Sequence, residues 1–134
     1  MQVKKFLHTR MRVSDMEQTL AFYQSLFELE IVAQSVSPRG SQLAFLSVPN
    51  SNERIELCCF PSSGPVKVGE DLVHLAFEVE DMNATIDALK TNNILITDGP
   101  TATPTGERFL FIDDPDGYEL ELIQRPITSK STVI

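Results

Sequence analysis

The stretch HTRMRVSDMEQT at residues 8–19 returns 66 positions later as HLAFEVEDMNAT at residues 74–85. Both copies begin with a histidine, and they are identical at four further positions, which are Val13 and Val79, Asp15 and Asp81, Met16 and Met82, and Thr19 and Thr85. The match resumes near the far end of each half, where Ile-Glu-Leu at residues 55–57 corresponds to Leu-Glu-Leu at residues 120–122 with an offset of 65. A repeat of this kind indicates two copies of one structural module.

Each half of the chain carries signals for the same order of secondary structure. The first half predicts a strand, a helix and three further strands, with the strands at residues 6–13, 29–35, 43–48 and 55–60. Ser-Asp-Met-Glu at residues 14–17 matches the capping box Ser-x-x-Glu, which predicts that the helix begins at Ser14. The second half repeats this order, with a helix between residues 81 and 93 and strands at residues 73–79, 94–97, 109–112 and 118–123. Each half is therefore a predicted βαβββ module.

The predicted fold is α+β, with two βαβββ modules that form curved mixed sheets. The modules would occupy residues 1–62 and 70–126 of a single domain at residues 1–126, followed by a tail at residues 127–134. A chain of 134 residues has the usual length of one domain. Asp-Pro-Asp-Gly at residues 114–117 has proline and glycine where a tight turn accepts them, and it predicts that the last strand begins directly afterwards.

Composition and charge exclude several classes of partner. The formal net charge of −8 would repel a phosphate backbone, so nucleic acid is not an expected partner. No apolar run approaches the roughly 20 residues of a transmembrane helix, and the N-terminus lacks the apolar core of a signal peptide, so we expect a cytoplasmic protein with no membrane partner. Adjacent cysteines such as Cys58 and Cys59 do not easily bridge each other, which predicts small core or cavity residues.

The chain's two histidines and one glutamate of each module fall at equivalent places in the repeat. His8 and His74 lie on the first predicted strand of each module, and Glu56 and Glu121 lie on the last. Because neighbouring side chains of a strand point to opposite faces, each glutamate shares no face with the apolar residues that flank it. A charged side chain on the inner face of a sheet is costly unless it is paired or binds a metal.

Two imidazoles and two carboxylates form a ligand set that suits Ni²⁺, Zn²⁺, Co²⁺, Mn²⁺ or Fe²⁺ and leaves positions open for water or substrate. Each of the four residues taken singly is more often a core or surface residue than a ligand. Their equivalent repeat positions favour the metal interpretation. The sequence therefore predicts a catalytic metal site at His8, Glu56, His74 and Glu121.

On these residues the chain resembles the vicinal-oxygen-chelate superfamily (glyoxalase, bleomycin resistance protein and dioxygenase), and within it the short bacterial type of lactoylglutathione lyase, or glyoxalase I. The similar segments are LHTRMRV at residues 7–13, IEL at 55–57, HLAFEV at 74–79 and DPDGYELELI at 114–123. Asp-Pro-Asp-Gly before a glutamate-bearing strand is common in the superfamily and indicates the fold. The complete His/Glu/His/Glu set is more restrictive and indicates the lyase.

The resemblance implies a glyoxalase-like domain, one divalent metal per site and a homodimer in which His8 and Glu56 of one chain join His74 and Glu121 of the other. It also implies a small-molecule substrate, the hemithioacetal that a 2-oxoaldehyde such as methylglyoxal forms with glutathione. In this isomerisation a metal polarises two neighbouring oxygens and a carboxylate moves a proton between adjacent carbons. By the same similarity Glu121 is the expected catalytic base, with Glu56 as its partner.

The predicted substrate-binding residues are Arg12, Phe60 and Arg108. Arg12 stands where the lyases use an arginine for a glutathione carboxylate, whereas Phe60 stands where they use an asparagine. The apolar side chain of Phe60 leaves the identity of the thiol open. Arg10, Arg12 and Arg108 could bind an anion, although a solvated surface charge explains each of them at least equally well.

Three other activities of the superfamily are alternatives. An acyl-CoA epimerase would use the same proton transfer but usually has glutamine at the first acidic position, where this chain has Glu56. An extradiol dioxygenase needs two histidines and one carboxylate and is typically a longer chain. A bleomycin-type antibiotic-binding protein is not an enzyme and lacks the four metal ligands.

Overall fold

Each half of the chain folds into a four-stranded mixed sheet with one helix in the computed structural model, which describes residues 1–126. The chain divides into two compact units between Lys67 and Val68. This division lies within the segment between the predicted modules, whose boundaries at residues 62 and 70 stay a prediction. The predicted tail at residues 127–134 lies outside the described residues.

The first unit contains four strands, one helix and a short 3₁₀ turn. Its elements are β1 (His8–Arg12), α1 (Met16–Ser25), β2 (Glu30–Val36), β3 (Gln42–Ser47), β4 (Arg54–Cys59) and the turn Pro61–Ser63. The sheet order is β1-β4-β3-β2, with β1 parallel to β4 and the other pairs antiparallel.

The second unit repeats this architecture. Its elements are β5 (His74–Glu78), α2 (Met82–Thr91), β6 (Ile96–Ala102), β7 (Arg108–Asp113) and β8 (Glu119–Gln124). The sheet order is β5-β8-β7-β6, again with one parallel pair, β5 and β8. The predicted α+β fold of two βαβββ modules is confirmed. Among residues 1–126, no helix has the length and apolar character needed to cross a membrane.

The start of α1 differs from the prediction by one residue, whereas α2 has its N-terminal cap at the predicted Asp81. Asp15 caps α1 by accepting a hydrogen bond from the Gln18 amide at 3.1 Å, and Asp81 caps α2 by accepting one from the Ala84 amide at 3.1 Å. The predicted cap at Ser14 is wrong because its hydroxyl oxygen accepts from the Val66 amide at 2.7 Å instead. The caps are therefore the two aspartates at equivalent positions of the repeat. A short side chain with an acceptor oxygen is preferred at the start of a helix.

Strand β6 is longer than the predicted strand at residues 94–97. It continues to Ala102 through Gly99 and Pro100, residues that usually indicate a turn. Its register with β7 shifts between Ile96 and Asp98 and again before Thr101. Such irregularities let glycine and proline sit within an edge strand, because the ladder is already interrupted there.

One face of each sheet carries the apolar core. In the first unit the buried side chains include Leu46 of β3 and Leu57 of β4, and in the second they include Leu110 of β7 and Leu122 of β8. Because strand side chains alternate, the residues between these positions lie on the opposite face. We call that opposite face the polar face of each sheet.

Both cysteines lie at the end of β4 and are free thiols. Cys59 belongs to the buried core, and its sulfur lies 3.6 Å from the Ser14 carbonyl oxygen, whereas Cys58 is partly exposed.

Candidate functional site

The polar face of the first sheet brings His8 and Glu56 together. Residue 8 begins β1, and the parallel register with β4 places Glu56 two positions further along its neighbour. The His8 Nε2 atom lies 3.6 Å from the Glu56 Oε1 atom, and the Glu56 side chain is only 5% exposed. A carboxylate so far removed from water requires polar or cationic partners.

The polar face of the second sheet brings His74 and Glu121 together in the same way. The His74 Nε2 atom lies 3.3 Å from the Glu121 Oε1 atom, and the Glu121 side chain is 18% exposed. The other ring nitrogen, Nδ1, lies 3.5 Å from the Glu119 carboxylate. Both nitrogens of this imidazole therefore face carboxylates.

An aromatic ring stands against each histidine, and the sequence analysis did not predict it. Phe45 of β3 meets His8 edge-on at 5.5 Å between ring centroids, and Phe111 of β7 meets His74 edge-on at 5.7 Å. Phe45 and Phe111 are the strand neighbours of Glu56 and Glu121, respectively. Edge-to-face packing favours one orientation of the ring. The signal was available, since these phenylalanines are also 66 positions apart.

The two units differ at the residue beside each glutamate. Arg10 is the register partner of Glu56, and its Nε–H donates a hydrogen bond to the Glu56 Oε1 atom. This hydrogen bond, and then the Coulombic attraction to the carboxylate, raises the pKa of the Arg10 guanidinium above its ordinary value. The equivalent register partner of Glu121 is Ala76, which carries no charge.

The difference extends along both polar faces. By strand alternation, the face of the first sheet carries Arg10 and Arg12 from β1 and Arg54 beside Glu56 on β4. The face of the second sheet has Ala76 and Glu78 on β5 and Glu119 beside Glu121 on β8 at the corresponding places. The first polar face is therefore mainly basic and the second mainly acidic.

The histidine and glutamate of each unit fit a divalent metal in donor chemistry. The imidazole nitrogen and the carboxylate oxygen are 3.6 Å apart in the first pair and 3.3 Å apart in the second, so the two residues of a pair could hold the same ion, which would act as a Lewis acid. Within the described range, residues 1–126, no group of three or more His, Cys, Asp or Glu side chains is placed to hold a metal. Each unit thus offers one pair of candidate ligands.

The predicted substrate-binding residues lie in three different settings. Arg12 is on the polar face of β1, where its Nη1 atom lies 3.4 Å from the Gly64 carbonyl oxygen. Phe60 follows the last residue of β4 and is exposed. Arg108 shares its face of β7 with the core residues and donates to the Asn83 side chain at 3.0 Å. The structure does not bring Arg108 to the polar face of its sheet, and its role stays a prediction.

A protein-family model, described as the Glyoxalase/Bleomycin resistance protein/Dioxygenase superfamily, matches residues 5–122, a range that contains both histidine–glutamate pairs. The chain belongs to this superfamily. The resemblance predicted from the sequence is confirmed, and the superfamily has members that are not enzymes as well as enzymes.

Individual members of the superfamily show which activity this chain most resembles. A probable lactoylglutathione lyase from Synechocystis is 31% identical over 122 residues, which cover 88% of this chain and 93% of that protein. The lactoylglutathione lyase of Haemophilus influenzae is 29% identical over 128 residues, which cover 92% and 95%. The trypanothione-dependent glyoxalase I of Leishmania major is 25% identical in structural alignment, with a TM-score of 0.78 over 91% of this chain and 87% of that one. These similarities support a glyoxalase-like function.

Proposed function

We propose that the protein is a metal-dependent lyase of the glyoxalase type, which isomerises the hemithioacetal formed by a 2-oxoaldehyde and a thiol. The observation that carries the proposal is the repeated trio of histidine, glutamate and edge-on phenylalanine on the polar face of each sheet. A solvated surface pair would not require the same cross-strand arrangement twice. A binding site for one kind of ligand in both modules explains the repetition.

A complete metal site in this proposal combines one pair of each kind, so that His8 and Glu56 of one protomer join His74 and Glu121 of its partner. Two considerations support a homodimer of this kind. Each unit supplies only two of the four ligands. The basic character of the first polar face and the acidic character of the second also favour pairing of unlike modules over pairing of like ones.

The divalent metal, when bound, would supply a Lewis acid that polarises two neighbouring oxygens of the substrate. The chain itself supplies the base, and the unequal settings of the two glutamates favour Glu121. Glu56 is nearly inaccessible, and its Oε1 atom already accepts the hydrogen bond from Arg10. Glu121 is more accessible, and a general base must reach the proton that it removes. Glu56 would then serve mainly as a ligand.

The thiol part of the substrate is the open question within this function. Arg12 provides a cation on the polar face for a carboxylate of the thiol, as the superfamily resemblance implies. Phe60 offers an apolar surface in place of an amide. The relative from Leishmania is trypanothione-dependent, so thiols other than glutathione occur among similar proteins. An assay should therefore present methylglyoxal with glutathione and with other thiols in parallel.

Glu121→Gln tests the proposal because it retains one oxygen donor and the size of the side chain but removes the basic carboxylate. We expect the metal content to remain and the rate of hemithioacetal isomerisation to fall by about 10²- to 10⁴-fold, the usual effect of losing a general base. Glu78→Gln is the charge-matched control, since Glu78 lies on the same polar face but takes part in neither of the His74 ion pairs.

Three outcomes would contradict parts of this proposal. If the wild type restored with Ni²⁺, Co²⁺ or Zn²⁺ turns over no hemithioacetal with any thiol, the lyase function fails, and an epimerase, dioxygenase or antibiotic-binding role has to be tested. If Glu121→Gln is as active as the wild type, Glu121 is a ligand only and Glu56 becomes the candidate base. If Glu78→Gln loses as much activity as Glu121→Gln, the effect reflects the charge of the face rather than a base.

A further inference from the structure

We propose that Arg10 is a built-in cationic competitor for Glu56, so that a metal ion enters the first histidine–glutamate pair only by displacing the guanidinium. This inference rests on the proposed metal-dependent function and assigns a role to a residue that the function leaves unused. Arg10 would lower the affinity of the site for divalent metal without touching substrate. Within each four-ligand site, the first pair would then be less ready to bind the metal than the second pair.

The guanidinium of Arg10 contacts the Glu56 carboxylate that the metal would need as a ligand. The Nε–H of Arg10 donates to Oε1 of Glu56, and this is the same oxygen that lies 3.6 Å from the His8 Nε2 atom. A metal ion held by His8 and Glu56 would compete with the guanidinium for this carboxylate. Like charges held this close repel each other. The Arg10 side chain is 57% exposed, so its head can move into water when a metal arrives.

The ion pair also explains how the Glu56 carboxylate can stay nearly buried before a metal binds. A nearly buried carboxylate without a partner would be strongly unfavourable. Arg10 supplies the partner, since it is the direct register neighbour of Glu56 on the parallel strand. In the second module Ala76 takes this position, while Glu121 is more exposed and faces His74. The competitor is thus present only beside the glutamate that water reaches least.

The size of the effect follows from the strength of the bond that the metal must replace. A hydrogen bond to a charged group is worth about 1.5 to 3 kcal/mol, which corresponds to about a 10- to 100-fold change in an equilibrium constant. Removing the guanidinium should therefore tighten metal binding by about 10- to 100-fold. If Arg10 instead held Glu56 in the geometry that a metal requires, its removal would weaken binding.

The first experiment compares the Zn²⁺ affinity of the full-length wild type with that of Arg10→Met and Arg54→Met, measured by competition with a chromophoric chelator at fixed ionic strength. Arg54→Met is the matched control, because it removes one positive charge from the same polar face, two residues from Glu56. We expect about 10- to 100-fold tighter binding for Arg10→Met and less than about a threefold change for Arg54→Met, the size of a screened surface effect. Equal changes in the two variants would overturn the inference.

The second experiment measures the wild type, and Arg10→Met serves only to assign the signal. The Nε–Hε resonance of Arg10, assigned by its loss in Arg10→Met, should be protected from exchange in the wild type before Zn²⁺ is added. Saturation with Zn²⁺ should abolish that protection. A resonance that stays protected at saturation means that the ion pair survives metal binding, which overturns the inference.

These outcomes separate the inference from the function on which it rests. If Arg10→Met binds Zn²⁺ as tightly as the wild type or more weakly, the competitor role fails while the metal site stands. If neither protein binds Zn²⁺, the metal site fails and the inference with it. If Zn²⁺ binding behaves as expected but the loaded wild type isomerises no hemithioacetal, only the lyase activity fails.

Discussion

Replacing Asp114 by alanine should destabilise the second unit through the turn that precedes β8. The Asp114 carboxylate is buried, and its Oδ1 atom accepts hydrogen bonds from the amides of Asp116 at 2.9 Å and Tyr118 at 3.0 Å. Gly117 completes the turn with a φ of 93°, which glycine adopts without strain. The turn leads directly into the strand that carries Glu121.

The expected loss follows from these two bonds. Each hydrogen bond to a charged group is worth about 1.5 to 3 kcal/mol. The two amides share one oxygen, and water can reach them at this turn once the carboxylate is gone, so the total should be about 2 to 4 kcal/mol. With a urea dependence of about 2 kcal/mol per molar, the unfolding midpoint should fall by about 1 to 2 M.

The matched control for this prediction is Asp114→Asn, which keeps the Oδ1 acceptor and loses only the charge. We expect it to lose about 1 kcal/mol, because both amides remain bonded to a neutral acceptor. Circular dichroism during urea denaturation measures all three proteins. The reasoning fails if the alanine variant unfolds at the wild-type midpoint, or if the asparagine variant is as unstable as the alanine variant. If the two units unfold in separate transitions, only one of them should move.

Three further predictions follow from the fold and the proposed site. Light scattering should give a solution mass of twice the 15.0 kDa of one chain, and a monomer that still binds metal would show that the modules complete a site within one chain. Replacing His8 or His74 by alanine should abolish binding of about one metal per chain, and unchanged metal content by elemental analysis would mean that the ligands lie elsewhere. Leu57→Ala, at a fully buried position, should cost about 2 to 5 kcal/mol of unfolding free energy, whereas Leu95→Ala, at a side chain 78% exposed, should stay within about 0.5 kcal/mol; similar losses would contradict the assigned core.

Much of the fold could be predicted because its signals are local or periodic. The turn at residues 114–117 depends on a few neighbouring residues, and the structure confirms it. The alternation of apolar and polar residues in β4 and β8 placed Glu56 and Glu121 opposite the core leucines, which the structure also shows. The helix caps were missed by one residue at α1 because Ser14 and Asp15 are both good caps. A contact with Val66, distant in sequence, determined which of them is used.

The alternation of side chains along β7 also determines the face on which Arg108 lies. Leu110 and Ile112 alternate with Phe109 and Phe111 along β7, so residue 108 belongs to the face of the buried leucine and isoleucine. That face explains its hydrogen bond to a residue of α2 rather than to a group on the polar face.

The sequence by itself determined that the chain has two equivalent modules and that each has one histidine and one glutamate at matching places. Only the tertiary structure decided which side chains stand beside them. Arg10 contacts Glu56, 46 residues away in sequence, because β1 and β4 pair in parallel in one register. Phe45 of β3 contacts His8 of β1 across β4, which lies between these two strands in the sheet. The register of strands that are distant in sequence depends on the packing of the whole sheet, because a shift by one residue would turn every side chain to the other face. The repeat and strand alternation therefore identified the two histidine–glutamate pairs, whereas the cation that contacts Glu56 became visible only in the folded sheet.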